Sequence, residues 1–282
     1  MSGLSAWRCI IISPAEAQSM LLKDKVVIVS GIGPGLGQEL STLAAAEGAS
    51  AVVLAARTPA KLDAAEQEIV ELGLGTRTLK VPTDIADREQ CIALAEQCVA
   101  EFGRIDVLFN SAYDPGSFEP IEVADLDAWR RAMDVNFFGT MQLTQACVAH
   151  MKDSGGGAIV MIATMVEHKP LATQGGYGAS KSALRSATKH LALELGRYNI
   201  RVNSCHMGWM WGPAVEGYFA WQSQQTGRSQ EELIAEVTRS IPLGVIPDDG
   251  DCARAAVFFA SDYASVVTGA ALDVNGGEYM PV

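Results

Sequence analysis

Tyr177 and Lys181 stand four positions apart in Tyr177-Gly178-Ala179-Ser180-Lys181, with Thr164 thirteen residues before the tyrosine. On a helix that spacing sets phenol and ammonium on one face. An ammonium beside a phenol stabilises the phenolate and lowers a pKa normally near about 10. A phenol tuned in this way serves as a general acid or base at neutral pH. Tyr-x-x-x-Lys alone is frequent in helices, so its weight depends on what accompanies it.

What accompanies it is Ser30-Gly31-Ile32-Gly33-Pro34-Gly35-Leu36-Gly37, about 145 residues upstream. Glycines allow a tight turn and close backbone approach, and a helix N-terminus after them offers unpaired N–H groups to a pyrophosphate. The spacing G-x-G-x-x-G does not fit; Gly31, Gly35 and Gly37 give G-x-x-x-G-x-G, with Leu36 inside the turn. Such a turn also serves plain geometry, but here it lies between a strand and a helix. In many dinucleotide sites an acidic residue closing the second strand grips the adenosine ribose. Here that strand ends Leu54-Ala55-Ala56-Arg57-Thr58, with no carboxylate. Arg57 either neutralises a 2′-phosphate, favouring NADP(H) with NAD(H) possible, or is a solvated residue opening the next helix.

The elements that must hold these groups follow from periodicity. Short β-branched runs are predicted as strands at 26–30, 51–56, 78–81, 105–110, 158–163, 200–204 and 270–274. Helical patterns occupy 35–47, 59–72, 87–102, 125–151, 177–197 and 250–260. The alternation predicts an α/β fold: one Rossmann-like, doubly wound parallel sheet of about seven strands with helices on both faces. Residues 1–19 read as an N-terminal extension and 20–282 as the single domain. Within it, 207–240 interrupts the pattern with Trp209, Trp211, Tyr218, Phe219 and Trp221 before a polar helical segment, Ser229 to Ser240. It is either a substrate lid, since loops after strand carboxyl ends hold ligands, or an oligomer contact.

From about Leu22 onward the chain resembles the short-chain dehydrogenase/reductase family. Besides the glycine turn and the Tyr-Lys pair, Pro82-Thr83-Asp84-Ile85, Asn110-Ser111-Ala112, Asp134-Val135-Asn136, Arg201-Val202-Asn203, Thr268-Gly269 and Asn275-Gly276-Gly277 match family landmarks in order. The resemblance implies that Tyr177 is the acid/base, that Lys181 lowers its pKa and binds the nicotinamide ribose, and that Thr164 hydrogen-bonds the substrate oxygen. It also implies that Asn136 holds a water in a proton relay. Asp84 and Ile85 would face the adenine and Asn110 would line the cofactor site. Five residues depart from the family pattern at working positions. Thr164 replaces the usual Ser, keeping a hydroxyl but adding a methyl. Ser111 and Tyr113 replace Asn and Gly. Met207 replaces the Pro before Gly208, and Gly212 falls where a Thr commonly contacts the carboxamide. Met210 and its loop are then left to hold the nicotinamide largely through backbone groups.

Composition narrows the classes. The 282 residues are 49% hydrophobic and 19% charged, ample for a large core. Twenty-one Lys plus Arg against thirty-three Asp plus Glu give a net charge of −12, which repels nucleic acid. Six cysteines without a C-x-x-C pair read as reduced thiols of a cytoplasmic protein. No apolar run reaches the roughly 18 residues of a membrane span, and the N-terminus does not read as a secretory signal. The four histidines look scattered: His168 as a solvated loop residue, His206 as structural, His150 and His190 on helices. With no acidic partners clustered near them, no metal site is expected. The resulting expectation is an oxidoreductase interconverting a secondary alcohol and a ketone on an apolar steroid, terpenoid or cyclic ketone. A homo-oligomer, as a tetramer, is implied by the resemblance. The alternatives are a 3-oxoacyl-thioester reductase and a non-catalytic dinucleotide-binding or scaffold protein.

Overall fold

The computed structural model describes residues 20–281, so the N-terminal extension and Cys9 lie outside the described residues. Seven parallel strands form one sheet: β1 Val26–Ser30, β2 Ala51–Ala56, β3 Arg77–Pro82, β4 Val107–Asn110, β5 Gly157–Thr164, β6 Ile200–Met207 and β7 Ala271–Val274. Their order is β3-β2-β1-β4-β5-β6-β7. The order reverses between β1 and β4, and in such sheets ligands bind outside the strand carboxyl ends at that point. Alternation in β1 explains the two-faced burial: Val27 and Val29 join one core with Leu40 and Ala256, while Val26 and Ile28 join the other with Leu94 and Leu143.

The helices are α1 Leu36–Ala46, α2 Pro59–Glu71, α3 Arg88–Phe102, α4 Leu126–Met133, α5 Thr140–Asp153, α6 Gly175–Leu195, α7 Pro213–Thr226, α8 Gln230–Thr238 and α9 Asp249–Ala260. Three differences from the sequence reading bear on function. Strands β5 and β6 run on to Thr164 and Met207, which pair with each other and carry Thr164 into the ladder. The single helix expected over 125–151 is broken between α4 and α5 by a π-helical turn, Asp134–Gly139, and that turn holds Asn136. Such turns recur at functional positions. Finally, α7 lies in a stretch read only as aromatic. Its sole buried residue is Phe219, and the Trp209, Trp211 and Tyr218 rings gather 5.4–6.1 Å from it, so no long apolar stripe marks the helix. The polar helix after it appears as α8, started by a capping box between Ser229 and Glu232.

Candidate active site

A cleft of about 510 Å³ opens at the carboxyl ends of the strands. The glycine turn forms one wall. Gly31 has φ +85°, and a Cβ on it would lie 2.3 Å from the Ala112 nitrogen in the loop after β4. Gly37 is equally constrained, because its Cβ would meet the Gly31 carbonyl at 2.2 Å. The turn and the start of α1 are thus folded tightly enough for backbone amides to face the cleft. Leu36, Arg57, Asp84 and Ile85 follow along the same wall with Gly35. Arg57 makes no ion pair among the described residues, and neither does Lys61, one turn into α2. A Cβ on Gly33 would lie 3.5 Å from Lys61 Nζ, so this second cation also reaches the turn.

Across the cleft stand Thr164, Tyr177 and Lys181. Thr164 ends β5; its hydroxyl accepts from the Val166 N–H at 3.3 Å and lies 3.5 Å from the Met207 carbonyl. Tyr177 and Lys181 sit in the first two turns of α6. Gly175 and Gly176 let that helix begin beneath Trp129 of α4, whose indole would be 2.7 and 2.6 Å from a Cβ at the two positions. Lys181 is buried, and its ammonium donates to the Ile162 carbonyl at 2.7 Å while lying 5.9 Å from the centre of the Tyr177 ring. Burial brings the lysine down to about 8 from 10.5. Tyr177 behaves differently from the sequence expectation. The protein packed round it pushes the phenol up from its ordinary range, with only the Thr164 hydrogen bond acting downward. The ammonium is engaged by a backbone carbonyl instead of the phenol.

Asn110 and Asn136 do not reach the cleft wall. Asn110 is buried and donates to Thr144 Oγ1 at 3.1 Å. Asn136 accepts from the Asp114 N–H at 2.7 Å and donates to the Asp114 carbonyl at 2.8 Å and to Ser180 Oγ at 2.9 Å. It thereby ties the loop after β4 to α6, directly behind Tyr177 and Lys181. Of the segment 207–240, residues 207–210 and 212–215 line the cleft, Met210 among them, whereas Trp221 on α7 is 57% exposed and faces away.

Several lining residues take their place from contacts far along the chain. Tyr113, the replacement in the Asn110 motif, packs edge-on to Tyr177 at 6.5 Å. Asp249 bears on a departure: a Cβ on Gly212 would lie 2.6 Å from its Oδ2, so a threonine there would require the Asp249 carboxylate to move. Burial and the neighbouring Asp248 raise the Asp249 carboxyl above its usual range. The histidine reading is also corrected. His168 and His206 stack at 5.5 Å, and buried Glu167 touches His206 and lies 3.4 Å from His168, so an acidic partner is present after all. The three meet only because β5 and β6 are adjacent, a pairing that spans about forty residues of sequence.

Known proteins give the same answer as the geometry. Residues 31–278 match the family model described as enoyl-(acyl carrier protein) reductase. Levodione reductase of Leifsonia aquatica is 29% identical, over 90% of this chain and 94% of its own. The 7alpha-hydroxysteroid dehydrogenase of Escherichia coli K12 is 29% identical over 93% and 97%. Among solved structures, NAD+-bound xylitol dehydrogenase superposes with a TM-score of 0.83 at 28% identity, covering 91% of this chain and 99% of that one. L-Sorbose reductase from Gluconobacter frateurii, complexed with NADPH and L-sorbose, reaches 0.88 at 29%, covering 94% and 100%. With the glycine turn facing the Tyr177–Lys181 pair across one cleft, the chain belongs to the short-chain dehydrogenase/reductase family and is an NAD(P)-dependent oxidoreductase of CH–OH groups.

Proposed function

We propose that the protein interconverts a secondary alcohol and a ketone on an apolar ring-bearing substrate, with NADP(H) preferred over NAD(H). The observation that carries this reading is the placement of Thr164, Tyr177 and Lys181 on the wall opposite the glycine turn, beside Tyr113, Phe118, Leu171, Trp209 and Met210. The cofactor supplies and takes hydride. The glycine turn would hold its pyrophosphate, Asp84 and Ile85 the adenine end, and Lys181 the nicotinamide ribose. Thr164 orients the substrate oxygen while Tyr177 gives it a proton or removes one. A phenol raised by burial keeps its proton at neutral pH, which suits it as the donor during ketone reduction. Asn136 acts from behind, holding the loop that carries Tyr113 against α6.

Arg57 and Lys61 support the preference for a 2′-phosphate, since both are cations at that end of the cleft without ion-pair partners among the described residues. The apolar lining supports the substrate class, and one relative named for a hydroxysteroid fits it. We further read the protein as a cytoplasmic homo-oligomer, a tetramer by family resemblance. Five of its cysteines are buried free thiols, and exposed Phe138, Val266 and Tyr263 offer apolar surface to a second copy. No helix among the described residues is long and apolar enough to cross a membrane. The test is a panel of cyclic ketones, hydroxysteroids, sugars and 3-oxoacyl thioesters with both cofactors, read by reduced-nicotinamide absorbance. Turnover of cyclic ketones is the expected result. Turnover of thioesters alone would replace the substrate class, and no turnover with cofactor still bound would point to a sensing or scaffold role.

A further inference from the structure

We propose that Glu167, His168 and His206 form a binding site for a divalent transition-metal cation of the zinc class, clipping the loop between Thr164 and Tyr177 to strand β6. Glu167 and His168 lie at the end of a short turn that follows β5, and His206 faces Ala163 in the β5–β6 ladder. One ligand atom from each of the three falls within 4.8 Å of the others. Metal–nitrogen and metal–oxygen bonds of about 2.0–2.2 Å place tetrahedral donors roughly 3.3 Å apart, close to the 3.4 Å between His168 Nε2 and Glu167 Oε1. Two imidazoles and one carboxylate are a set that zinc, cobalt and ferrous iron accept with positions left for water.

The strongest indication is what these groups lack. Both carboxylate oxygens of Glu167 and Nδ1 of His206 are buried without a hydrogen bond. Glu167 Oε1 and Nδ1 are in direct contact, so that only a proton or a cation can reconcile the pair. A buried carboxylate in that condition is costly, and a cation shared with two ring nitrogens removes the cost. The surroundings prepare the ligands. His206 Nε2 is 2.9 Å from Ser204 Oγ, which leaves Nδ1 for the cation, in the manner of the outer partners that fix ligating histidines. His168 is oriented by stacking between His206 and Tyr279, each at 5.5 Å. It is also partly exposed, which gives a cation a way in.

Charge is compatible. One carboxylate with two neutral imidazoles offers −1 to a +2 ion. Nearby Lys169 is already paired with Glu278 at 2.8 Å. Arg185 Nε stands 4.0 Å from Glu167, the limit of an ion pair, and its partly exposed side chain has solvent to move into.

The test uses the full chain, dialysed against a chelator and then titrated calorimetrically with zinc, with cobalt(II) as a spectroscopic substitute. One equivalent per chain is expected, at a dissociation constant of about 1 µM or below, with visible cobalt bands of low coordination number. The melting temperature is expected to rise by roughly 5 °C at a hundredfold excess over that constant. Glu167→Gln and His206→Gln are each expected to weaken binding at least about a hundredfold. Should a buried substitution prevent folding, the more exposed His168→Asn decides, with an expected loss of about tenfold or more and of the cobalt spectrum. Absence of uptake at about 50 µM zinc, well above the expected constant, would overturn the proposal. So would uptake left unchanged by Glu167→Gln or His168→Asn, since the metal would then sit elsewhere on the chain.

Discussion

The two walls of the cleft are built in different ways. The cofactor wall, from β1 to the loop after β3, is made mainly of backbone: Gly31 and Gly37 are there because no Cβ fits, and amides do the facing. The substrate wall, from β4 onward, is made of side chains held by distant side chains. Trp129 lies over Gly175 and Gly176, Asn136 grips the Asp114 backbone, and Asp249 fills the space beside Gly212. A wall of amides tolerates substitution around it and binds one kind of ligand. A wall of side chains sets chemistry and specificity, and each part of it depends on a partner far along the chain.

The largest effect that separates the walls is expected at Tyr177 and Lys181. Tyr177→Phe removes the proposed proton donor and little packing, so turnover is expected to fall by about a thousandfold or more while cofactor affinity stays within a few-fold. Retention of rate within a few-fold would break the assignment. Lys181→Met is expected to lose turnover and yet stabilise the cofactor-free fold. In the native state the ammonium falls to about 8 from 10.5, so below about pH 8 its burial costs stability, and the cost fades as pH rises toward 10.5. The cost is on the order of 3 kcal/mol by the value of a pKa unit, less whatever the Ile162 hydrogen bond returns. Melting curves at pH 7 and pH 10 check both size and sign. A lower melting temperature at pH 7 would show that the lysine is a structural anchor.

Next in size is Thr164. Thr164→Val keeps the shape but deletes the hydroxyl proposed to support Tyr177 and orient the substrate oxygen, so kcat/KM should fall about a hundredfold. Thr164→Ser should retain activity. Equal rates for Val and Thr would place the substrate oxygen elsewhere on the wall.

The geometry of the glycine-turn wall was legible because its signals are local. A glycine turn between a β-branched run and a helix, and an arginine closing β2, can be read within a few dozen residues. The sheet itself was legible for a similar reason, since each strand carries its own apolar run. Asn136 was legible as a position but not as a contact, because nothing in its neighbourhood announces that its partners are the backbone of Asp114 and the hydroxyl of Ser180. Helix α7 was hidden by its aromatics, and Glu167 by the long stretch of sequence that separates it from His206. The depressed pKa expected for Tyr177 failed for a physical reason. Spacing puts Lys181 on the right helical face, but it does not say that the Ile162 carbonyl will take the ammonium.

Arg57→Ala probes the cofactor wall where it does rely on side chains. A charge-assisted contact of about 1.5–3 kcal/mol converts to roughly ten- to a hundredfold weaker NADP(H) binding, with NAD(H) affinity nearly unchanged. Lys61→Ala should act in the same direction and less. Calorimetric titration of both cofactors measures the difference, and equal losses for the two would remove the 2′-phosphate from the reading.

The smallest expected effect lies where the walls meet. Asp249 stands between the glycine turn and the 207–212 loop: its Oδ2 is 3.3 Å from where a Gly35 Cβ would be and 2.6 Å from that of Gly212. A pyrophosphate at the turn adds negative charge near a carboxyl already raised by burial and by Asp248. Cofactor binding is then linked to proton uptake, so affinity should increase as pH falls through the raised carboxylate range. One unit charge about 4 Å away and screened as in water is worth about 1 kcal/mol, or about fivefold. NADH is the right probe, because it lacks the 2′-phosphate that itself titrates near about pH 6 by analogy with other phosphomonoesters. Asp249→Asn should bind NADH about fivefold more tightly at pH 8 and show a flatter pH profile. Parallel profiles for the two proteins would mean that Asp249 only fills the space a threonine side chain would otherwise take, and that the walls meet through packing alone.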